Sequence, residues 1–140
     1  MTGKSIHEIS VGDVASFQKT ITEADVYMYA GVTGDLNPVH INAVHAEGSI
    51  FKERIAHGML SAGLISAVLG LQLPGPGTIY MSQSLKFTAP VRIGDTVRAE
   101  VEVIEKNEEK NRIKLKTVCL NQSGEAVLSG EAMVMPPKVK

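Results

Sequence analysis

Gly58-Met59-Leu60-Ser61-Ala62-Gly63-Leu64-Ile65-Ser66-Ala67-Val68-Leu69-Gly70-Leu71-Gln72-Leu73 is the stretch that decides the fold of this chain. It runs 16 residues without Asp, Glu, Lys or Arg, and the uncharged run continues to Leu85. As a helix it reaches roughly 24 Å, short of the roughly 30 Å core of a bilayer. Ser61, Ser66, Gly63, Gly70 and the Pro74-Gly75-Pro76-Gly77 break also argue against a membrane span. A helix apolar on every side is otherwise a buried one, and it needs cover all round.

The flanking sequence supplies that cover. Downstream, Thr78 to Thr88 is β-rich. Val97, Ala99, Val101 and Val103 alternate with Arg98, Glu100 and Glu102, the period of a half-buried strand. Ile113, Leu115 and Thr117 alternate with Lys114 and Lys116, and Glu125 to Met135 forms a last strand. Asn107 to Asn111 and Asn121 to Gly124 are the turns. Upstream, Gly12 to Ile21 alternates weakly and reads as a first strand. Thr22-Glu23-Ala24-Asp25 is a helix start, a hydroxyl cap with a carboxylate three residues on, and the helix runs to about Val32. Thr33 to His40 reads as loop, since Gly34 and Pro38 stop regular structure. Residues 43–49 read as a short helix. Strand, helices and then a run of antiparallel strands make an α+β class. A strongly curved antiparallel sheet wrapped around the uncharged helix fits, and its exposed edges invite pairing with a second copy.

Length and composition bound the rest. The 140 residues imply a single domain over 1–140. With 44% hydrophobic residues, 21% charged residues and a net charge of −1, no global field favours nucleic acid. Lys106, Lys110, Arg112, Lys114 and Lys116 interleave with Glu105, Glu108 and Glu109, as on a solvated mixed-charge hairpin. Cys119 is the only cysteine, and Met1 to Glu8 lacks the apolar core of a signal peptide. A cytoplasmic protein is expected.

The chemistry sits on either side of the short-helix region. Gly31-Val32-Thr33-Gly34-Asp35-Leu36-Asn37-Pro38-Val39-His40 sets a carboxylate and an imidazole five residues apart. Helical neighbours are three or four apart, so a stiff loop explains the pair better. Pro38 fixes its own φ and pushes Asn37 into an extended conformation, and Asp35 and Asn37 can brace the turn. The loop ends then aim at one point, such as a water, and an Asp–His pair can share one proton across it. The plainer alternative is that Asp35 caps a turn and His40 is a surface residue. His57-Gly58-Met59 weighs against it. It opens the buried helix, whose first amides and positive dipole end would polarise a carbonyl oxygen, and glycine allows the closest approach. Ser66 lies eight residues after Gly58. Spacing alone favours a hydroxyl bonded to the carbonyl four residues back. His57 reads as a helix-terminal residue without chemistry, and His7 and His45 carry no signal. One cysteine, no His-x-x-x-His and no acidic cluster beside His40 or His57 predict no metal site.

Thr33 to His40 together with His57-Gly58-Met59 resembles the motif of the (R)-specific enoyl-CoA hydratases, the MaoC-like or hydratase-2 branch of the hot-dog fold. Gln72 to Tyr80 and Phe87 to Asp95 resemble the small bacterial members as well, so the likeness runs from about Ile9 to Pro136. The resemblance implies reversible hydration of a trans-2-enoyl-CoA to the (R)-3-hydroxyacyl-CoA, with Asp35 and His40 as the catalytic dyad. It gives Ser66 a role in fixing the dyad, Asn37 a role in shaping the loop, and Gly58 the oxyanion-hole amide. It implies a homodimer or higher homo-oligomer and an acyl-CoA substrate, with no cofactor beyond the coenzyme A of that substrate. Leu64, Ile65, Val68 and Tyr80 are candidates to line the acyl tunnel, and Lys52, Arg54, Lys86 and Arg92 to meet the nucleotide phosphates. Two rivals remain: a hot-dog thioesterase and a non-catalytic acyl-CoA-binding subunit. Hot-dog thioesterases, like the carrier-protein-linked dehydratases, often carry a catalytic carboxylate on or beside the central helix, and residues 58–73 have none, while an intact Asp35–His40 pair argues against a binding subunit.

Overall fold

A computed structural model describes residues 2–139. Strand β1 (Val14–Thr20) leads into helix α1 (Glu23–Thr33). Its start is the expected capping box: Thr22 Oγ1 accepts from the Asp25 amide at 3.2 Å, and the Asp25 carboxylate accepts from the Thr22 amide at 2.9 Å. Gly34 ends α1 at φ +80°, a conformation that glycine adopts without strain. Two short helices follow, α2 (Pro38–Ile41) and α3 (Ala43–Glu47), and then the long helix α4 (Gly58–Leu71).

The second half is β2 (Ile79–Gln83), β3 (Lys86–Phe87), β4 (Thr96–Asn107), β5 (Arg112–Leu120) and β6 (Ala126–Met135). Six antiparallel strands form one curved, open sheet in the order β1-β4-β5-β6-β2, with β3 also on β6. The run expected from Thr78 to Thr88 is thus two short strands on β6, interrupted at Ser84 and Leu85, and β2 carries a register shift between Tyr80 and Ser82. The alternation in β4 and β5 holds. Val97, Ala99, Val101 and Val103 face inward with Ile113, Leu115 and Cys119, while the charged residues face out. On the outer side Lys106 pairs with Glu108 at 3.0 Å and Lys114 with Glu105 at 3.4 Å, as a mixed-charge hairpin requires.

The core lies where the sheet meets α4. Ala62, Ile65, Val68 and Leu69 pack into it with the inward residues of β4, β5 and β6. Cover is not complete, contrary to the expectation from hydropathy. Met59, Gly63 and Ser66, spaced along one side of α4, lie exposed. On edge strand β2, Ile79, Tyr80 and Met81 are exposed as well. No helix of the described residues is long and apolar enough to cross a membrane.

Candidate active site

His40 is not on a loop, as Gly34 and Pro38 suggest, but on a helical turn. Asn37 caps that turn, its Oδ1 accepting from the Val39 amide at 3.2 Å, and Pro38 takes the first helical position, where a missing N–H costs nothing. Asp35 sits just before, its Oδ1 accepting from the Asn37 amide at 3.3 Å. Asn37 therefore shapes the turn, as expected, and its capping bond lies two residues from Asp35.

Residues 55–57 bracket both halves of the pair. The Ile55 amide donates to the Val39 carbonyl at 3.3 Å, and His40 Nδ1 donates to the Ile55 carbonyl at 2.7 Å. A carbonyl only accepts, so Nδ1 carries the hydrogen and the Nε2 lone pair of a neutral His40 ring is free. Two residues on, His57 Nε2 donates to the Asp35 carbonyl at 2.9 Å. The His57 ring stacks on His40 with centroids 3.9 Å apart and 29° between planes, and Tyr29 of α1 meets its other side at 4.6 Å. His40 and His57 are buried, while Asp35 is exposed at the rim.

A carboxylate oxygen of Asp35, a ring nitrogen of His40 and a ring nitrogen of His57 all lie within 4.8 Å of one another. A water bonded to two groups at about 2.8 Å each spans about 4.6 Å, so the two groups lie within the reach of one bridging water. His57, read from the sequence as a helix-terminal residue without chemistry, lies in the same cluster. Folding closes gaps of five and 22 residues that spacing could not reveal. Two of the imidazole nitrogens in this cluster are already committed to carbonyl oxygens.

Asp35, His40, His57, Gly58 and Ser61 form the polar wall of a cavity of about 480 Å³. Phe51, Ile55, Phe87, Val91, Val127 and Leu128 form much of its apolar side. Gly58 opens α4 with His57 as N-cap, and the amides of Gly58 and Met59 have no acceptor among the described residues. They sit where the helix dipole is positive. A Cβ on Gly58 would lie 2.6 Å from the Phe87 ring, so the absent side chain makes room for Phe87.

The remaining sequence candidates lie elsewhere. Ile65 and Val68 have 0% exposure and belong to the core, because the cavity reaches only one turn into α4. Leu64 packs half-buried against that core, and Tyr80 lies on β2 bonded to Gln83; neither lines the cavity. Ser66 is exposed on the open side of α4, away from Asp35 and His40 in the single chain. Ser66 shares a side of α4 with Met59 but lies about two turns further along, beyond the end of the helix that the cavity reaches. Arg54 is engaged with Glu23 at 2.6 Å and Tyr27 at 2.8 Å, and Arg92 with Glu53 at 3.3 Å. Lys52 and Lys86 have no ion pair among the described residues, and they adjoin Phe51 and Phe87 at the cavity.

Comparison with known proteins gives the family. The model of the family described as "MaoC like domain" matches residues 10–125. An (R)-specific enoyl-CoA hydratase of Rhodospirillum rubrum is 55% identical over 93% of this chain and 90% of its own length. A 3-hydroxybutyryl-CoA dehydratase of Methylorubrum extorquens is 49% identical over 94% of this chain and 83% of its own. The unliganded R-hydratase PhaJ1 from Pseudomonas aeruginosa superposes with a TM-score of 0.93 at 48% identity, over 98% of this chain and 88% of that one. With a curved sheet on a central helix and a match to most of its length, the chain belongs to the MaoC-like family of hot-dog domains.

Proposed function

We propose that the chain is an (R)-specific enoyl-CoA hydratase, a hydro-lyase that adds water reversibly across the double bond of a trans-2-enoyl-CoA. One observation carries the reading: Asp35 and His40 offer a carboxylate oxygen and a ring nitrogen within 4.8 Å on the wall of an apolar cavity. Relatives with this name share the chain almost end to end.

In this reading the acyl thioester enters beside Phe51 and Phe87, and its carbonyl oxygen faces the start of α4. The amide of Gly58 then bonds the negative charge that develops as C3 is attacked. Asp35 and His40 hold the attacking water between them. One proton leaves the water for the pair and one returns to C2, so the pair ends the cycle as it began. No metal or redox cofactor takes part. Lys52 and Lys86 are the cations we assign to the coenzyme A phosphates. A homodimer covers the open side of α4 and the β2 edge, which brings a second copy against Ser66 and leaves the supporting role of that hydroxyl to the assembled protein. The location is cytoplasmic.

The test is crotonyl-CoA with two readouts, loss of the enoyl chromophore and release of free thiol, followed by chiral analysis of the product. Chromophore loss with (R)-3-hydroxybutyryl-CoA formed and no thiol supports the proposal. Thiol release without any hydroxyacyl-CoA formed would make the chain a thioesterase, a reading that the absence of any carboxylate on α4 already disfavours. Tight binding without turnover would make it a binding subunit.

A further inference from the structure

We infer that His57 is a positioning residue for the Asp35–His40 pair, holding Asp35 by a hydrogen bond and His40 by ring stacking. The inference rests on the hydratase reading. His57 touches the machinery twice: its Nε2–H holds the Asp35 carbonyl at 2.9 Å, and its ring lies flat against His40 with centroids 3.9 Å apart.

The bond to Asp35 is singular in its setting. Residues 34–37 make several bonds among themselves and to the end of α1, through Gly34, Asp35, Leu36 and Asn37 amides. Among the described residues, only His57 ties this exposed loop to an element distant in sequence. That element is the N-terminus of α4, which also presents the Gly58 amide to the cavity. One imidazole therefore fixes the distance between the carboxylate and the place where the carbonyl oxygen binds. A misplacement of about 1 Å at such a site can cost 10²-fold in rate.

A purely packing role does not explain the imidazole. His57 is 2% exposed, and with Nε2 donating, its Nδ1 is a buried acceptor that has no partner among the described residues. Stranding a buried polar atom is unfavourable, and such atoms concentrate where function requires them. A phenyl ring could keep the contacts with Tyr29 and His40 without a buried ring nitrogen, but it would offer no donor to the Asp35 carbonyl. What the imidazole adds is the Nε2–H bond to Asp35. The charged or titratable groups that face it are Asp35, His40 and Tyr29.

The experiment compares His57→Phe, which keeps a flat ring without the donor, with His57→Gln, whose amide nitrogen can reach the same carbonyl. Each is measured for kcat, KM and thermal midpoint, and the imidazole nitrogens are observed by ¹⁵N NMR. We expect His57→Phe to lose roughly 10²-fold in kcat with KM changed less than about threefold, and His57→Gln to recover at least about tenfold of that loss. In the spectra, His40 should be the Nδ1–H tautomer in the parent protein, as its bond to the Ile55 carbonyl requires, and its ring signals should shift in His57→Phe as the stacked ring beside it changes. A kcat within about twofold of the parent in His57→Phe overturns the inference. So does an equal loss in both variants that follows their thermal midpoints. The NMR arm does not depend on turnover. If the parent protein lacks hydratase activity, the reading of the reaction fails, and an unchanged His40 spectrum in His57→Phe would still refute the positioning role.

Discussion

Gly58→Ala separates two duties of Gly58, the room it leaves for Phe87 and the carbonyl-binding amide proposed for it. The new methyl carbon would lie 2.6 Å and 2.7 Å from two carbons of the Phe87 ring, where about 3.5–4.0 Å is comfortable. The ring must retreat by about 1 Å. Phe87 is already 52% exposed on two-residue β3, so it can tilt outward, giving up roughly 1 kcal/mol of its remaining burial. Against this, alanine favours a helix over glycine by at most about 1 kcal/mol, and less at the first helical position. The net change in stability should stay within about 1 kcal/mol, or about 4 °C in Tm for a domain of this size. Activity should behave differently. The amide survives, but the methyl stands where the carbonyl oxygen must approach, and loss of one such donor costs roughly 10²–10³ in kcat. Calorimetry and the crotonyl-CoA assay, run on Gly58→Ala alone and with Phe87→Ala added, decide the matter. Both variants should fold and both should be slow. Recovery of turnover when the Phe87 ring is removed would refute the reasoning, because Gly58 would then serve only to seat that ring.

Other predictions concern the frame. The Cys119 thiol has 0% exposure, and burial pushes its pKa up to about 12, leaving about one thiolate in 10⁵ at neutral pH. A thiol reagent should therefore label Cys119 only on unfolding, and labelling at the rate of a free thiol in the native protein would contradict this packing. Glu23 is held below the usual carboxylate range by hydrogen bonds from Arg54 and then Tyr27, with the Arg54 charge adding to them. A depressed carboxylate stabilises the fold fully above its unfolded value near about 4.3 and loses that contribution as pH falls through the folded value. The stability gap between the parent protein and Glu23→Gln in urea titrations should thus be open near neutrality and narrow as pH falls below about 4.3. A gap independent of pH would mean that the pair contributes nothing.

Much of this was legible in the sequence because local rules sufficed. The alternation of β4 needs only a period of two, and the Thr22–Asp25 cap needs a spacing of three. The Asp35–Asn37–Pro38 turn was readable too, although a proline at the first helical position placed His40 on a helix where a loop was expected. What was hidden depends on distance along the chain. His57 reaches Asp35 across 22 residues, and Phe87 reaches Gly58 across 29, and neither spacing has a period. The one local signal for His57 was its place just before α4, which also fits a helix terminus without chemistry. The direction of Ile65, Val68 and Ser66 around α4 was equally hidden. An uncharged helix has no polar face to mark which side meets the sheet, the cavity or a second copy.

The central claim is that one carboxylate and one imidazole work on a single water as a unit. A double-mutant cycle on kcat with Asp35→Asn, His40→Ala and the combined variant tests it most directly. The account predicts that each single change lowers kcat by roughly 10²–10⁴ and that the pair together loses little more than the worse single. Losses that multiply, or a single variant that turns over crotonyl-CoA at nearly the parent rate, would contradict it.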